Sequence, residues 1–143
     1  MRNNLFKNAV ELFKAGHLDW VEDDFFVVLL SKDYIPDFIN HTTLADVPKE
    51  AIIAPPEPMK AKKIIDGKTT ADDVFFCNVS GDKLIEAILI YTTPEDASSP
   101  LLIGHISNAM GMPIAPNGGD IFIKWQIGGN RIFSADWDGY TYD

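Results

Sequence analysis

Apolar and polar positions follow two rhythms along this chain, and the change between them falls near Trp20. Before it, Leu5, Ala9, Leu12 and Phe13 recur at helical spacing, with Phe6 and Val10 widening the stripe. This predicts an amphipathic helix over 3–15, capped by Asn3 or Asn4 and ended by Gly16. After it come short β-like runs: FFVVLL (25–30), VFFCNV (74–79), LIEAILIY (84–91), LLIGHI (101–106) and DIFIKWQI (120–127). SGDK, TTPEDASSP and PNGG separate them as turns or loops. Runs 25–30 and 84–91 are apolar on both faces, the mark of a central strand covered on both sides. The cover is either the helix with a second sheet, or a neighbouring subunit.

The expected fold is mainly β: an antiparallel, β-sandwich-like single domain over 1–134 with one N-terminal helix, followed by an aromatic and acidic tail over 135–143. TTLADVPKE predicts one helical turn begun by Thr42 or Thr43 and stopped by Pro48. Pro55, Pro56 and Pro58 forbid a central strand and predict an extended edge or loop. Lys60, Lys62 and Lys63 read first as charges that keep other strands off a sheet edge, and second as a basic patch.

Two Gly-Gly pairs flank the run 120–127. A phosphate loop needs a helix after its glycines, and here a strand pattern follows Gly119. The glycines are therefore read as turns. If Gly128 and Gly129 form a two-residue hairpin, Trp125 faces Ile132. Ile121, Ile123, Trp125, Ile127 and Ile132 then share one face; Phe122, Lys124, Gln126, Arg131 and Phe133 take the other.

Composition narrows the function classes. The chain has 143 residues, enough for one domain with a real core. A net charge of −9 argues against nucleic acid and anionic membranes as partners. The N-terminal residues lack the apolar stretch of a signal peptide, and no run approaches a membrane span. The expected site of synthesis is the cytoplasm. Cys77, in an apolar run, reads as a small buried hydrophobe rather than a nucleophile.

Candidate chemistry is sparse. His17, His41 and His105 have no metal-ligand spacing, and no nucleophile elbow is present. Asp23-Asp24 and Asp72-Asp73 are adjacent pairs, so in a strand they point to opposite faces. Asp136, Asp138 and Gly139 lack the third acid, the glycine offset and the closing Glu of an EF-hand loop. The expectation is a binding protein, with no catalytic residue, cofactor or metal.

NNLFKNAVELFKAGHLDW, a VVLL strand, HTTLADVPKEA, VSGDKLIEAILIY, SPLLIGHI and GMPIAPNGGDIFIKWQIGGNRIF follow in order. Together they resemble a family of small structural proteins of tailed bacteriophages, with a Gly-x-x-x-Trp start and a PNGGD–strand–GxNRIF ending. The resemblance covers about 4–134; the proline- and lysine-rich middle and the terminal SADWDGYTYD depart from it. It implies a virion component, most of all a head-decoration or head-associated protein, that binds capsid or tail proteins as a homo-oligomer or lattice. A tail, neck or fibre position is the first alternative. A carbohydrate-binding β-sandwich using Trp20, Trp137, Tyr140 and Tyr142 as sugar platforms is the second. The expected protein interface comprises Trp137, Tyr140 and Tyr142 of the tail, strapped onto a neighbour, with Leu5, Leu12 and Phe13 of the helix stripe.

Overall fold

The computed structural model describes residues 5–94, 99–107, 112–125, 131–140 and 142. Among them the chain is mainly β, with one α-helix and antiparallel sheets. The largest sheet runs β2 (Glu57–Pro58), β1 (Phe25–Leu30), β6 (Ala87–Thr92) and β7 (Leu101–Ile106), in that order. Register in its centre is continuous from Phe25↔Thr92 to Leu30↔Ala87. Between β6 and β7 it shifts at Ile90/Tyr91.

Both faces of this sheet are buried, and the chain covers both itself. Phe25, Val27, Leu29, Ile88, Ile90 and Ile103 share one cluster with the helix and with residues of the smaller sheets. Val28, Leu30, Ala87, Leu89, Tyr91 and Leu102 form the other, under Tyr34, Val47 and Ala51. The apolar-both-ways strands thus have intramolecular covers on each side. The long connection after β1 closes the second face with two short 3-10 turns, Leu44–Asp46 and Lys49–Ala51. Thr43 precedes the first turn as expected, and the Asp46 carboxylate accepts the N–H groups of Thr42 and Thr43.

The helix, α1 (Lys7–Lys14), is shorter than the sequence suggests. Leu5 bridges Gly104 and the Phe6 N–H donates to the Ile103 carbonyl, so this part of the chain is drawn extended onto the edge of β7. Phe6 is the N-cap, and the Phe38 carbonyl accepts the Lys7 N–H. A tertiary contact replaces an asparagine side-chain cap; Asn3 and Asn4 lie outside the described residues. Gly16 ends the helix at φ +79°, with its N–H bonded to Phe13 O and that of His17 to Leu12 O, a Schellman closure. Of the expected stripe, Ala9 and Phe13 are buried and Leu12 is only half-buried.

Three further expectations are corrected. The strand β8 (Ile121–Ile123) pairs with β5 (Val74–Phe76), not with its sequence neighbour. The strand β9 (Arg131–Ser134) pairs with β4 (Lys68–Thr70), which also carries β3 (Lys63–Ile65). Trp125 therefore does not face Ile132 in a local hairpin; Gly128 and Gly129 lie outside the described residues. Ile121, Ile123 and Trp125 do share a buried face, but Phe133, assigned to the other face, is also in the core. Lastly, Cys77 is exposed rather than buried, because β5 ends at Phe76 and the chain turns through Asn78 at φ +51°. A hairpin does form elsewhere: Asp66 (φ +52°) and Gly67 (φ +74°) join β3 to β4, the backbone of a primed two-residue turn.

Candidate functional site

The residues expected to form an interface come together, but they face each other. Phe13 of α1 stacks on Trp137, with ring centroids 4.2 Å apart and planes 12° off parallel. The Tyr142 hydroxyl donates to the Leu5 carbonyl, and that of Tyr140 to the Ser134 carbonyl at 2.9 Å. All three tail rings pack beside the main core, as does Leu12. The tail thus folds back on its own helix, where an intermolecular strap was expected. The apolar surface that α1 leaves uncovered supplies the reason: aromatic rings three and five residues past Trp137 lie within easy reach of it.

The sugar-platform residues fare alike. Trp20 is 2% exposed, its Nε1–H donating to the Thr70 carbonyl at 3.1 Å, with Phe25 edge-on at 4.9 Å. Trp137 gives one face to Phe13. The Gly16–Trp20 spacing noted in the sequence therefore has a structural role: Gly16 closes the helix and Trp20 re-enters the core four residues later.

A second cluster, missed in the sequence, surrounds Tyr34. The rings of His41 and His105 lie 5.5 and 5.8 Å from it. The Asp37 N–H donates to His41 Nδ1 at 3.1 Å, so that nitrogen is an acceptor and the Tyr34 hydroxyl donates to it at 2.8 Å. Burial, then the Asp46 and Asp37 carboxylates, push the Tyr34 phenol well above its ordinary range. Beside it lies a cavity of about 300 Å³ lined by Ser31, Tyr34, Ile35, Phe38, Glu86 and His105. The Ser31 hydroxyl donates to Asp33, whose other partner is Lys83, so it is not paired with a histidine base. No group of three or more His, Cys, Asp or Glu among the described residues could hold a metal ion.

All four tyrosines ionise above the ordinary phenol value. Desolvation is the leading cause at each, and Tyr142 is pushed up to about 12. A raised folded-state value means stability that is complete below about pH 10 and is lost as pH climbs toward 12. Tyrosinate absorbance of the folded protein should therefore show no step at pH 10, and unfolding should set in above it. Four tyrosines titrating together at pH 10 in a still-folded chain would contradict this.

The exposed aromatic surface lies elsewhere. Phe122 of β8 is 60% exposed and Phe75 of β5 37%, and they face each other across the strand pair with centroids 4.6 Å apart. Each strand buries its flanking residues, Val74 and Phe76 or Ile121 and Ile123, and turns its middle phenylalanine outward. The outward position of Phe122 was legible in the alternation; that of Phe75, inside an unbroken apolar run, was not, and their meeting depends on which strands pair.

The chain matches no protein-family model, and no curated protein matches it significantly. No helix among the described residues is long and apolar enough to cross a membrane.

Proposed function

We propose that this chain is a structural protein of a tailed-bacteriophage particle, foremost a head-decoration or head-associated component, that acts by binding other particle proteins through the Phe75–Phe122 face. The observation that carries the binding role is this outward aromatic pair on a small sheet whose opposite face is core. Rings exposed in this way are what a partner's apolar surface covers. The phage setting draws its support from the ordered sequence motifs, above all GMPIAPNGGDIFIKWQIGGNRIF. In that last motif, Gly118 adopts φ +86° and Asn117 Oδ1 accepts the Gly119 N–H, which leads directly into β8. The motif thus builds the strand that presents Phe122.

A tail, neck or fibre position is the alternative within the same class. The carbohydrate-binding alternative has less behind it, since Trp20 is buried and Trp137 is stacked internally.

Mass spectrometry of purified particles should find this chain in stoichiometric amounts, and cryo-EM should place it on the head. Its absence from particles would overturn the proposal, and density at the tail would favour the alternative. Phe122→Ala should leave unfolding within about 0.5 kcal/mol of wild type, because the ring is largely exposed. Incorporation of the variant should fall by about tenfold or more. Unchanged incorporation would move the contact away from this face.

A further inference from the structure

The strand β3 (Lys63–Ile65) is the outermost strand of its sheet, and among the described residues it pairs with β4 alone. Its three residues are all exposed, Ile64 by 45% and Ile65 by 49%. Adjacent strand residues point to opposite faces, so the edge carries one uncovered isoleucine on each. The primed turn at Asp66-Gly67 makes Ile65↔Lys68 a hydrogen-bonded pair, and the alternation of an antiparallel ladder then repeats at Lys63↔Thr70. The N–H and C=O of Ile64 are thereby directed to the open side.

The charge at this edge is the reverse of the rest of the molecule. Lys60, Lys62, Lys63 and Lys68 are four of the 12 Lys and Arg residues in a chain of net charge −9. Asp66 is the one acid among residues 60–68. Neither of the ion pairs among the described residues involves these lysines. Lys62 lies 5.8 Å over the Phe25 ring. Two copies meeting edge to edge would bring eight lysines together, so the charge that admits an acidic strand repels a second copy.

We propose that β3 is a docking edge for an extended, acid-rich protein segment, which adds as a further strand. Its backbone bonds Ile64, one of its faces carries apolar side chains that cover the isoleucine on that side, and its acidic side chains on the other face meet the lysines. This site is separate from the Phe75–Phe122 face and does not depend on the phage setting.

The probes are three peptides that alternate valine with glutamate, glutamine or lysine, and a single-stranded DNA oligonucleotide. The glutamate peptide should bind, protect the Ile64 amide from hydrogen exchange, and weaken by about tenfold as salt rises from low to physiological strength. Lys60→Glu with Lys62→Glu and Lys63→Glu should transfer the preference to the lysine peptide. Ile64→Pro should abolish binding while sparing the ladder to β4, since that N–H faces outward. Should this variant not fold, amide protection in the wild type and the charge reversal still decide the matter. Equal binding of the glutamine peptide, an unprotected Ile64 amide, tighter binding of the DNA than of the glutamate peptide, or self-association through β3 would each overturn the proposal.

Discussion

Trp20→Ala is expected to destabilise the protein by about 3–5 kcal/mol, the range for emptying a large buried aromatic site. The indole is 2% exposed and lies edge-on to Phe25 at 4.9 Å and to Phe133 at 6.5 Å, so it joins β1 to β9. Its loss leaves a cavity between two sheets and removes the indole hydrogen bond to the Thr70 carbonyl. Domains of this size are held by only about 5–15 kcal/mol, so a substantial part of the total is at stake. Trp20→Phe separates the two effects. It keeps most of the apolar contact and should cost about 1–3 kcal/mol, for the lost indole hydrogen bond and the smaller ring. Urea midpoints of both variants measure this, and an unmoved midpoint for Trp20→Ala would remove Trp20 from the core.

A chain ending at Ser134 is expected to be less stable by about 2–5 kcal/mol. The sum comprises a stacked aromatic pair, a hydrogen bond from Tyr142 and renewed exposure of Phe13. Phe13 is 7% exposed with the tail in place, and Trp137 is its stacking partner. The Lys14–Asp138 ion pair at 3.8 Å adds little, since Asp138 is almost fully exposed. Thermal melting of the shortened chain reads the effect directly. Melting identical to the full chain would restore the expectation of a tail that serves only a neighbour.

Strands β1 and β7 were readable to the residue because their runs are apolar at nearly every position, and turn or polar residues bound them. Partner choice was not readable. Alternation in Ile121–Ile123 shows which side chains are buried, but it does not say that the next strand over begins at Val74. The glycine pair at 128–129 favoured a local hairpin by proximity alone. The same bias hid the Asp66-Gly67 turn, since the three prolines before it suggested an irregular segment. The helix start was missed for a related reason: Leu5 and Phe6 fit a helical stripe, yet their backbone is taken by β7.

The candidate sites divide along the same line. Aromatic tail and helix stripe were each recognisable as apolar surfaces in need of cover, and physical proximity made them cover one another. The Phe75–Phe122 pair and the rings around Tyr34 exist only once distant segments are joined, so no local pattern could announce them.

The pairing of β1 with β6 also governs how the chain reaches this state. Thr92 donates its hydroxyl to the Asp24 carbonyl across 68 positions, at the end of the ladder where Phe25 faces Thr92. At synthesis rates of about 5–20 residues per second, FFVVLL waits roughly 3–14 seconds for its partner to be made. For the whole of that interval six consecutive apolar residues with a strong β preference lack β6, the strand that pairs with them along their full length. The nascent chain is then most open to aggregation and to chaperone capture, and slowing translation between Leu30 and Ala87 lengthens that exposure.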